Sequence, residues 1–127
     1  MSKPREEVNN QEYYKDIYFL YEIISQMKNT TEIKDFLKDI MTSSELRMFK
    51  RRWHIACALE AEVPIREVAR LTKTSTATVL KVSEKMEQGK GGLKVALERT
   101  KPLRRKNKKL HQGVSATFGS YYYIKND

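Results

Sequence analysis

Apolar residues recur along this chain at intervals of three and four, which is the spacing of one face of a helix. The first run, over residues 13–27, predicts an amphipathic helix at about residues 11–28. After a polar break, a second run over residues 33–40 predicts a shorter helix capped by Thr30 or Thr31. Neither helix can bury its own apolar stripe, so both need a partner surface.

A third helix is predicted to begin at Thr42, because Thr42 and Glu45 fit a capping box in which each side chain bonds to the other's backbone amide. Between Trp53 and Leu59 it is apolar around most of its circumference, apart from His54. Other elements must enclose such a helix, and in so short a chain the simplest one is a second copy. We expect Trp53 to lie in the core or a dimer interface, and Cys57 to be a small core residue.

Two short helices follow, in the arrangement of a helix-turn-helix. Pro64 ends the third helix and precedes a helix over residues 65–71. Residues 72–74 form the turn, and Ser75 caps a helix that reaches about Gln88. The motif places a small residue where the helices cross, with inner apolar contacts and an exposed start to the second helix. Ala69 fits the crossing; the inner contacts fall on Ile65, Val68, Val79 and Val82.

The residues expected to face DNA lie at the start of the second short helix. They are Lys73, Thr74, Ser75, Thr76, Ala77 and Leu80. Two of them depart from the motif: Lys73 stands where glycine is usual and must adopt a positive φ or a different turn, and Thr74 stands where an apolar residue is usual. Leu71 is a candidate to replace that apolar contact. The alternative interpretation is a pair of helices packed in a bundle with no role in DNA binding.

Three glycines at positions 89, 91 and 92 interrupt the chain before a last short helix, predicted to end near residues 99–102. The segment from residue 101 has six basic residues and no acidic one before residue 114, and we expect it to be disordered when free. Two interpretations stay open: a passive solubilising tail, or a set of nonspecific phosphate contacts. The contacts would be made by Arg104, Arg105, Lys106, Lys108 and Lys109.

Composition supports a single all-α domain with a polyanionic partner. The chain has 127 residues and a formal net charge of +9, and residues 101–127 alone hold seven Lys and Arg against one acidic residue. We predict a flexible N-terminus at 1–11, a domain at 12–100 (helices at 12–62, helix-turn-helix at 64–88) and a basic tail at 101–127. The absence of an apolar run of membrane length or a signal sequence leads us to expect a cytoplasmic protein.

The sequence offers no recognisable catalytic or metal site. His54 and His111 are far apart, with no Cys or carboxylate at ligand spacing. No nucleophile with a base and an orienting acid is identifiable, so we expect neither an enzyme nor a bound cofactor.

Five segments occur in an order that resembles the Trp repressor-like family, most closely its YerC/YecD-type branch. They are Met41-Thr-Ser-Ser-Glu-Leu, Arg51-Arg-Trp, Arg66-Glu-Val-Ala, Ser75-Thr-Ala-Thr-Val and Gly89-Lys-Gly-Gly-Leu. The resemblance covers about residues 12–100. It implies an intertwined helical homodimer that binds successive major grooves of double-stranded DNA in the bacterial cytoplasm, at the nucleoid, as a transcriptional regulator. Repression is the expected action, and activation stays open as the alternative. It also adds Arg66 and Lys81 to the expected DNA contacts.

The resemblance further places an effector pocket at Thr42, Arg52, Lys81, Val82 and Lys85. Arg52 keeps the guanidinium that stacks on an indole, whereas Lys81 replaces an arginine that grips a carboxylate. Val82 replaces a glycine that leaves room for the ring, and Lys85 replaces a small hydroxyl residue. We therefore expect tryptophan not to be the effector, and the identity of any other effector stays open. The rival functions are a protein-interaction module and an RNA-binding protein with only nonspecific nucleic-acid affinity.

Overall fold

The computed structural model describes residues 11–110, with side chains described from Tyr14 to Arg105. This stretch forms six helices and no strand, which confirms the all-α prediction for the described residues. They are α1 (Gln11–Ser25), α2 (Thr30–Ile40), α3 (Ser43–Glu60), α4 (Ile65–Thr72), α5 (Thr76–Gln88) and α6 (Gly92–Leu110). Predictions on residues 1–10 and 111–127, including His111, lie outside it. Within the same stretch no helix combines the length and apolarity needed to cross a membrane.

The chain divides into two compact units, Met1–Leu46 and Arg47–Asp127, and α3 begins in the first and continues into the second. In the first unit, α2 has no fully buried residue. Large apolar side chains of α1 and α2 remain between 40% and 63% exposed. They are Tyr14, Tyr18, Phe19, Tyr21, Ile24, Ile33 and Ile40. Of these, Tyr21, Ile24, Ile33 and Ile40 belong to the predicted stripes, whose other described members are half-buried. The stripes are therefore only partly covered within the chain.

The caps of the first unit are partly as predicted. The capping box is confirmed: the Thr42 amide donates to Glu45 Oε1 at 2.8 Å, and the Glu45 amide donates to Thr42 Oγ1 at 3.1 Å. These bonds from Thr42 lower the pKa of Glu45. The predicted cap of α2 is wrong, because Asn29 caps it by accepting from the Glu32 amide at 2.9 Å. Asparagine caps at least as well as threonine, and it stands one residue earlier.

The core of the second unit forms around the middle of α3. Five consecutive residues, His54 to Ala58, are buried, and successive residues of a helix point about 100° apart, so every side of α3 is covered there. Trp53 is half-buried and packs against this core. Cys57 is fully buried, as predicted, and burial raises the pKa of its thiol to about 12.

The buried His54 makes the stability of the fold depend on pH. Burial and, secondarily, the charge of Lys50 lower the pKa of His54 from 6.5 to about 4. The folded protein therefore holds the imidazole neutral, and its contribution to stability is complete above pH 6.5 and is lost as the pH falls toward 4. We expect the free energy of unfolding to fall by about 2 kcal/mol between pH 7 and pH 5.

Urea unfolding at a series of pH values measures this loss. The His54→Gln variant, which has no group titrating at that position, should lack this step although its stability at pH 7 is lower. Equal pH dependence of the two proteins over this range would contradict the assignment to His54.

The last helix differs most from the prediction. α6 begins at Gly92 and continues through Pro102 to Leu110, so neither its predicted end near residues 99–102 nor the predicted disorder of residues 101–110 is correct. Proline inside a helix costs about 3 kcal/mol because it lacks an N–H and clashes with the preceding turn. Two residues further on, Arg104 is 2% exposed and bonds back to the body of the protein, which offsets that cost.

Candidate nucleic-acid interface

The second unit contains the predicted helix-turn-helix, formed by α4, a short turn and α5. The two helices pack against each other, with Ala69 8% exposed and Val79 fully buried. Val68 and Val82 join them in the same core. Ile65 is the exception, because it is 37% exposed and lies at the edge of the core rather than inside it. Ile65 is the first residue of α4 and lies one helical turn before the crossing at Ala69.

The turn between α4 and α5 is a Schellman motif with lysine at its left-handed position. Lys73 has φ 55° and ψ 45°, as the prediction of a positive φ required. The Thr74 amide donates to the Ala69 carbonyl at 3.0 Å, and the Lys73 amide to the Arg70 carbonyl at 3.4 Å. The turn therefore keeps the motif's geometry without its usual glycine.

The C-terminal end of α3 has the same type of turn, although no residue there is a recognised signal for it. Glu62 has φ 64°, the Val63 amide donates to the Ala58 carbonyl at 3.1 Å, and the Glu62 amide donates to the Leu59 carbonyl at 3.0 Å. A left-handed residue that is not glycine thus precedes α4 and another follows it. Each one costs roughly 1–2 kcal/mol because its Cβ lies close to the following carbonyl oxygen.

Replacing these two residues with glycine should therefore stabilise the protein. We expect Glu62→Gly and Lys73→Gly each to raise the free energy of unfolding by about 0.5 to 1 kcal/mol, since the entropy lost by glycine removes part of the relief. Chemical denaturation measures the change. Glu62→Ala and Lys73→Ala, which keep the Cβ, are the matched controls. If the glycine variants are no more stable than the alanine variants, the left-handed conformations of Glu62 and Lys73 are not strained.

Thr74, at the usually apolar position, is accommodated by a chain of hydrogen bonds. Thr72 is fully buried, and its hydroxyl donates to the Val68 carbonyl at 2.7 Å. That hydroxyl has one proton, so the contact of 2.9 Å between the Thr72 and Thr74 hydroxyl oxygens has Thr74 as its donor. Leu71, the candidate replacement, is half-buried. The polar side chain is thus satisfied inside the turn.

Ser75 forms the predicted cap of α5, accepting from the Thr78 amide at 3.1 Å. Its oxygen also lies 3.0 Å from the Thr78 hydroxyl, so this side chain serves the helix start. Beyond it, the side chains of Thr76, Ala77 and Leu80 are exposed, Leu80 by 50%. The first turn of α5 has no acidic residue. An exposed surface formed by Thr76, Ala77 and Leu80 therefore lies at a helix start where the backbone dipole favours anions.

Three exposed cations flank this surface: Arg66 on α4, Lys73 in the turn and Lys81 on α5. Their neighbour Arg70 is engaged differently, because its guanidinium donates twice to the carboxylate of Glu67. That contact lowers the pKa of Glu67. Among the described residues, no carboxylate forms a salt bridge with the three flanking cations. They are available to phosphate.

The residues of the predicted effector pocket are placed as follows. Val82 is 8% exposed and belongs to the hydrophobic core, whereas Arg52, Lys81 and Lys85 are exposed. Thr42 belongs to the first unit and is exposed.

The C-terminal end of α5 requires a glycine. The Lys85 carbonyl accepts the Gly89 amide at 2.9 Å, and a Cβ on Gly89 would lie 2.3 Å from that oxygen. The glycine that ends α5 is therefore required by close approach.

The predicted phosphate contacts of the C-terminal segment divide into three groups. Arg104 is a correction: its guanidinium is buried and bonds to Glu60 Oε1 at 3.0 Å and to the Leu97 carbonyl at 2.6 Å, so it cannot reach a phosphate. Arg105 is exposed. The side chains of Lys106, Lys108 and Lys109 lie outside the described ones.

The described part of the chain holds no group of three or more acidic, His or Cys residues that could bind a metal ion.

Comparison with known families agrees with this geometry. The family described as Trp repressor protein matches residues 15–101, which include the capping box, the helix-turn-helix and most of the helix that follows. The chain belongs to the Trp repressor family. Members of this family are helix-turn-helix proteins that bind DNA and regulate transcription. No match was found among curated proteins or among solved structures.

Membership in the Trp repressor family assigns roles to the two short helices. In a helix-turn-helix the second helix, called the recognition helix, is the one that enters the major groove, and the first helix supports it. By position in the motif, α5 corresponds to the recognition helix and α4 to its supporting partner. The match ends at Lys101, whereas α6 continues to Leu110. The last turns of α6 therefore lie outside the matched region.

Proposed function

We propose that this protein is a homodimeric transcriptional repressor that recognises a specific sequence in double-stranded DNA through the major groove. The observation that carries the proposal is the exposed start of α5, where Thr76, Ala77 and Leu80 project from a helix fixed by the buried Ala69 and Val79. Short side chains permit close approach of the helix to base edges. The site of action is the nucleoid in a bacterial cytoplasm, and the proposal includes no catalytic step.

The roles within the site follow from chemistry and position. Thr76 can donate to or accept from a base edge, and Ala77 and Leu80 can contact a thymine methyl group. Arg66, Lys73 and Lys81 surround them and bind phosphates, which fixes the register of the helix on the duplex. Ser75 and Thr74 act indirectly, because their hydroxyls hold the helix start and the turn.

The proposed dimer is supported by the exposed apolar side chains of α1 and α2. Side chains such as Tyr18 and Phe19 are at least 60% exposed in the single chain. Large apolar side chains left exposed in such number mark a protein interface, and a twofold arrangement lets one surface cover its own copy. Two recognition helices would then read half-sites about one helical turn, roughly 34–36 Å, apart.

Selection of bound duplexes from a random pool tests sequence recognition, symmetry and spacing together. We expect a palindromic consensus with half-sites about 10 base pairs apart, centre to centre. Bound duplexes without any consensus would contradict sequence recognition. They would favour the rival functions, a protein-interaction module or an RNA-binding protein with only nonspecific affinity for nucleic acid.

We further propose that tryptophan is not the effector. The Val82 side chain fills core space at the position where the family pattern has glycine, and forcing a bicyclic ring beside it would cost on the order of 1–3 kcal/mol through overpacking. Lys81 and Lys85 also replace the residues expected to grip the ligand.

Calorimetric titration with L-tryptophan should therefore give no saturable heat at micromolar concentrations. Addition of L-tryptophan should also leave the affinity for the selected duplex unchanged. Saturable binding at micromolar strength would refute this prediction.

A further inference from the structure

The end of α6 is anchored to the body of the protein by a buried arginine. Besides its bonds to Glu60 and to the Leu97 carbonyl, Arg104 donates through Nε to the Thr100 hydroxyl at 3.1 Å. Thr100 in turn donates to the Ala96 carbonyl at 2.7 Å. The guanidinium is thus held on several sides, and its charge is compensated by a carboxylate from α3. Arg104 acts as a positioning residue for the last turns of α6.

This anchor fixes which side of α6 faces outward. The inner stripe of the helix runs through Leu93, Leu97 and Arg104, at intervals of four and seven residues. Three cations lie next to this stripe on the same side of it. Lys94 and Arg105 each come one residue after a member of the stripe, and Lys101 comes four residues after Leu97, so the three share one flank of the helix. Lys94 and Arg105 are exposed, and Lys101 is 34% exposed beside Glu98 at 3.2 Å. The anchored helix presents a row of cations.

We propose that the C-terminal part of α6 is a second DNA-contacting element, a rigid cationic helix that binds backbone phosphates of the duplex read by α5. The chemistry that selects this partner is charge: residues 101–110 hold six Lys and Arg and no acidic residue. Of the three whose side chains are described, Lys101, Arg104 and Arg105, Arg104 alone is buried. A docked helix loses less conformational entropy on binding than a disordered tail does, so its contacts are stronger per charge.

The proposal rests on the proposed function, because it assumes a duplex bound by α5. It differs from that function in being independent of base sequence. Phosphate contacts release counterions, and each one adds about 0.9 to the negative slope of log affinity against log salt concentration. A dimer that loses two contacts on each chain should lower that slope by up to about 3.6.

The first experiment measures the salt dependence of binding for the selected duplex and for a random one. Lys101→Gln/Arg105→Gln should lower the slope on both duplexes and leave the ratio of the two affinities unchanged. Lys101→Arg/Arg105→Lys keeps the charges and should keep the slope. Lys34→Gln/Lys38→Gln removes two exposed charges from α2 and should also leave it unchanged.

The other possible results distinguish failure of the cationic-helix proposal from failure of the proposed function. An unchanged slope in the Lys101→Gln/Arg105→Gln variant would overturn the proposal. A wild-type protein that binds both duplexes equally would overturn the proposed function instead, while a lowered slope in the same variant would still support the cationic helix. Tighter binding of an RNA duplex than of DNA at equal salt would overturn the assignment of this surface to DNA.

The second experiment distinguishes a rigid helix from a flexible tail. Glu98→Cys provides a single reactive thiol beside the cationic flank for an iron chelate that cleaves nearby DNA, since the Glu98 side chain is 74% exposed and Cys57 is fully buried. All cations are retained in this variant. A few cuts at fixed positions, symmetric about the centre of the site, are expected. Cuts smeared over a turn or more, or no cuts beyond those of an Asp35→Cys control, would overturn the proposal.

Discussion

Reversing two charges beside the recognition helix is expected to remove DNA binding. The Arg66→Glu/Lys81→Glu variant should bind the selected duplex about a hundredfold more weakly than the wild type or worse, because each lost phosphate or base contact is worth about 1–3 kcal/mol. Both side chains are exposed and lie outside the core, so folding and dimerisation should be retained. Fluorescence anisotropy measures the affinity, and analytical ultracentrifugation measures the oligomeric state.

The matched control reverses the same number of charges elsewhere. Lys34 and Lys38 are exposed on α2, and Lys34→Glu/Lys38→Glu should weaken binding far less than the change at the recognition helix. If the two double variants lose equal affinity, only the net charge matters, and nucleic-acid binding is nonspecific. If the Arg66 and Lys81 variant loses no affinity, the second unit serves as a protein-interaction module.

Local rules were sufficient to predict most of the fold. The capping box at Thr42 and Glu45 and the cap at Ser75 each depend on residues at most three positions apart, so their geometry can be inferred from the sequence itself. The same holds for the exposed start of α5, because helical periodicity decides which side chains face the core. These are the features on which the candidate site depends.

What could not be predicted depends on partners far apart in the chain. Pro102 and the basic run after it are, locally, signals for the end of a helix, and the prediction of a disordered tail followed from them. The residue that holds this helix is Arg104, and its partner Glu60 lies 44 residues earlier. One sequence contains no local signal that a single arginine in a cluster of cations is buried. The prediction therefore assigned Arg104 to phosphate.

The left-handed residues show a different limit. Lys73 was identified because the helix-turn-helix motif requires a tight turn at that position, whereas Glu62 adopts the same conformation without any motif to indicate it. Glycine is the usual signal for such a helix end, and neither position has it. The backbone bonds and the packing of half-buried Val63 impose the conformation on whichever residue is present.

Removal of the Arg104 side chain is expected to cause the largest loss of stability among the single changes discussed. Arg104→Met keeps much of the side-chain volume but leaves Glu60, whose side chain is 21% exposed, without its ion pair. Breaking a buried pair by removing one partner costs about 3–5 kcal/mol, and the partial exposure of Glu60 places the expected loss at about 3 kcal/mol. Arg105→Met, one residue along the same helix and exposed, should cost less than about 0.5 kcal/mol.

A third variant separates the ion pair from simple packing. Glu60→Met/Arg104→Met removes both charges, and it should recover a large part of the loss, since a buried pair replaced by apolar residues is often neutral in stability. Urea unfolding monitored by circular dichroism measures all three variants. If Arg104→Met is as stable as Arg105→Met, then Arg104 does not anchor α6, and the last turns of the helix are held by nothing that the described side chains provide.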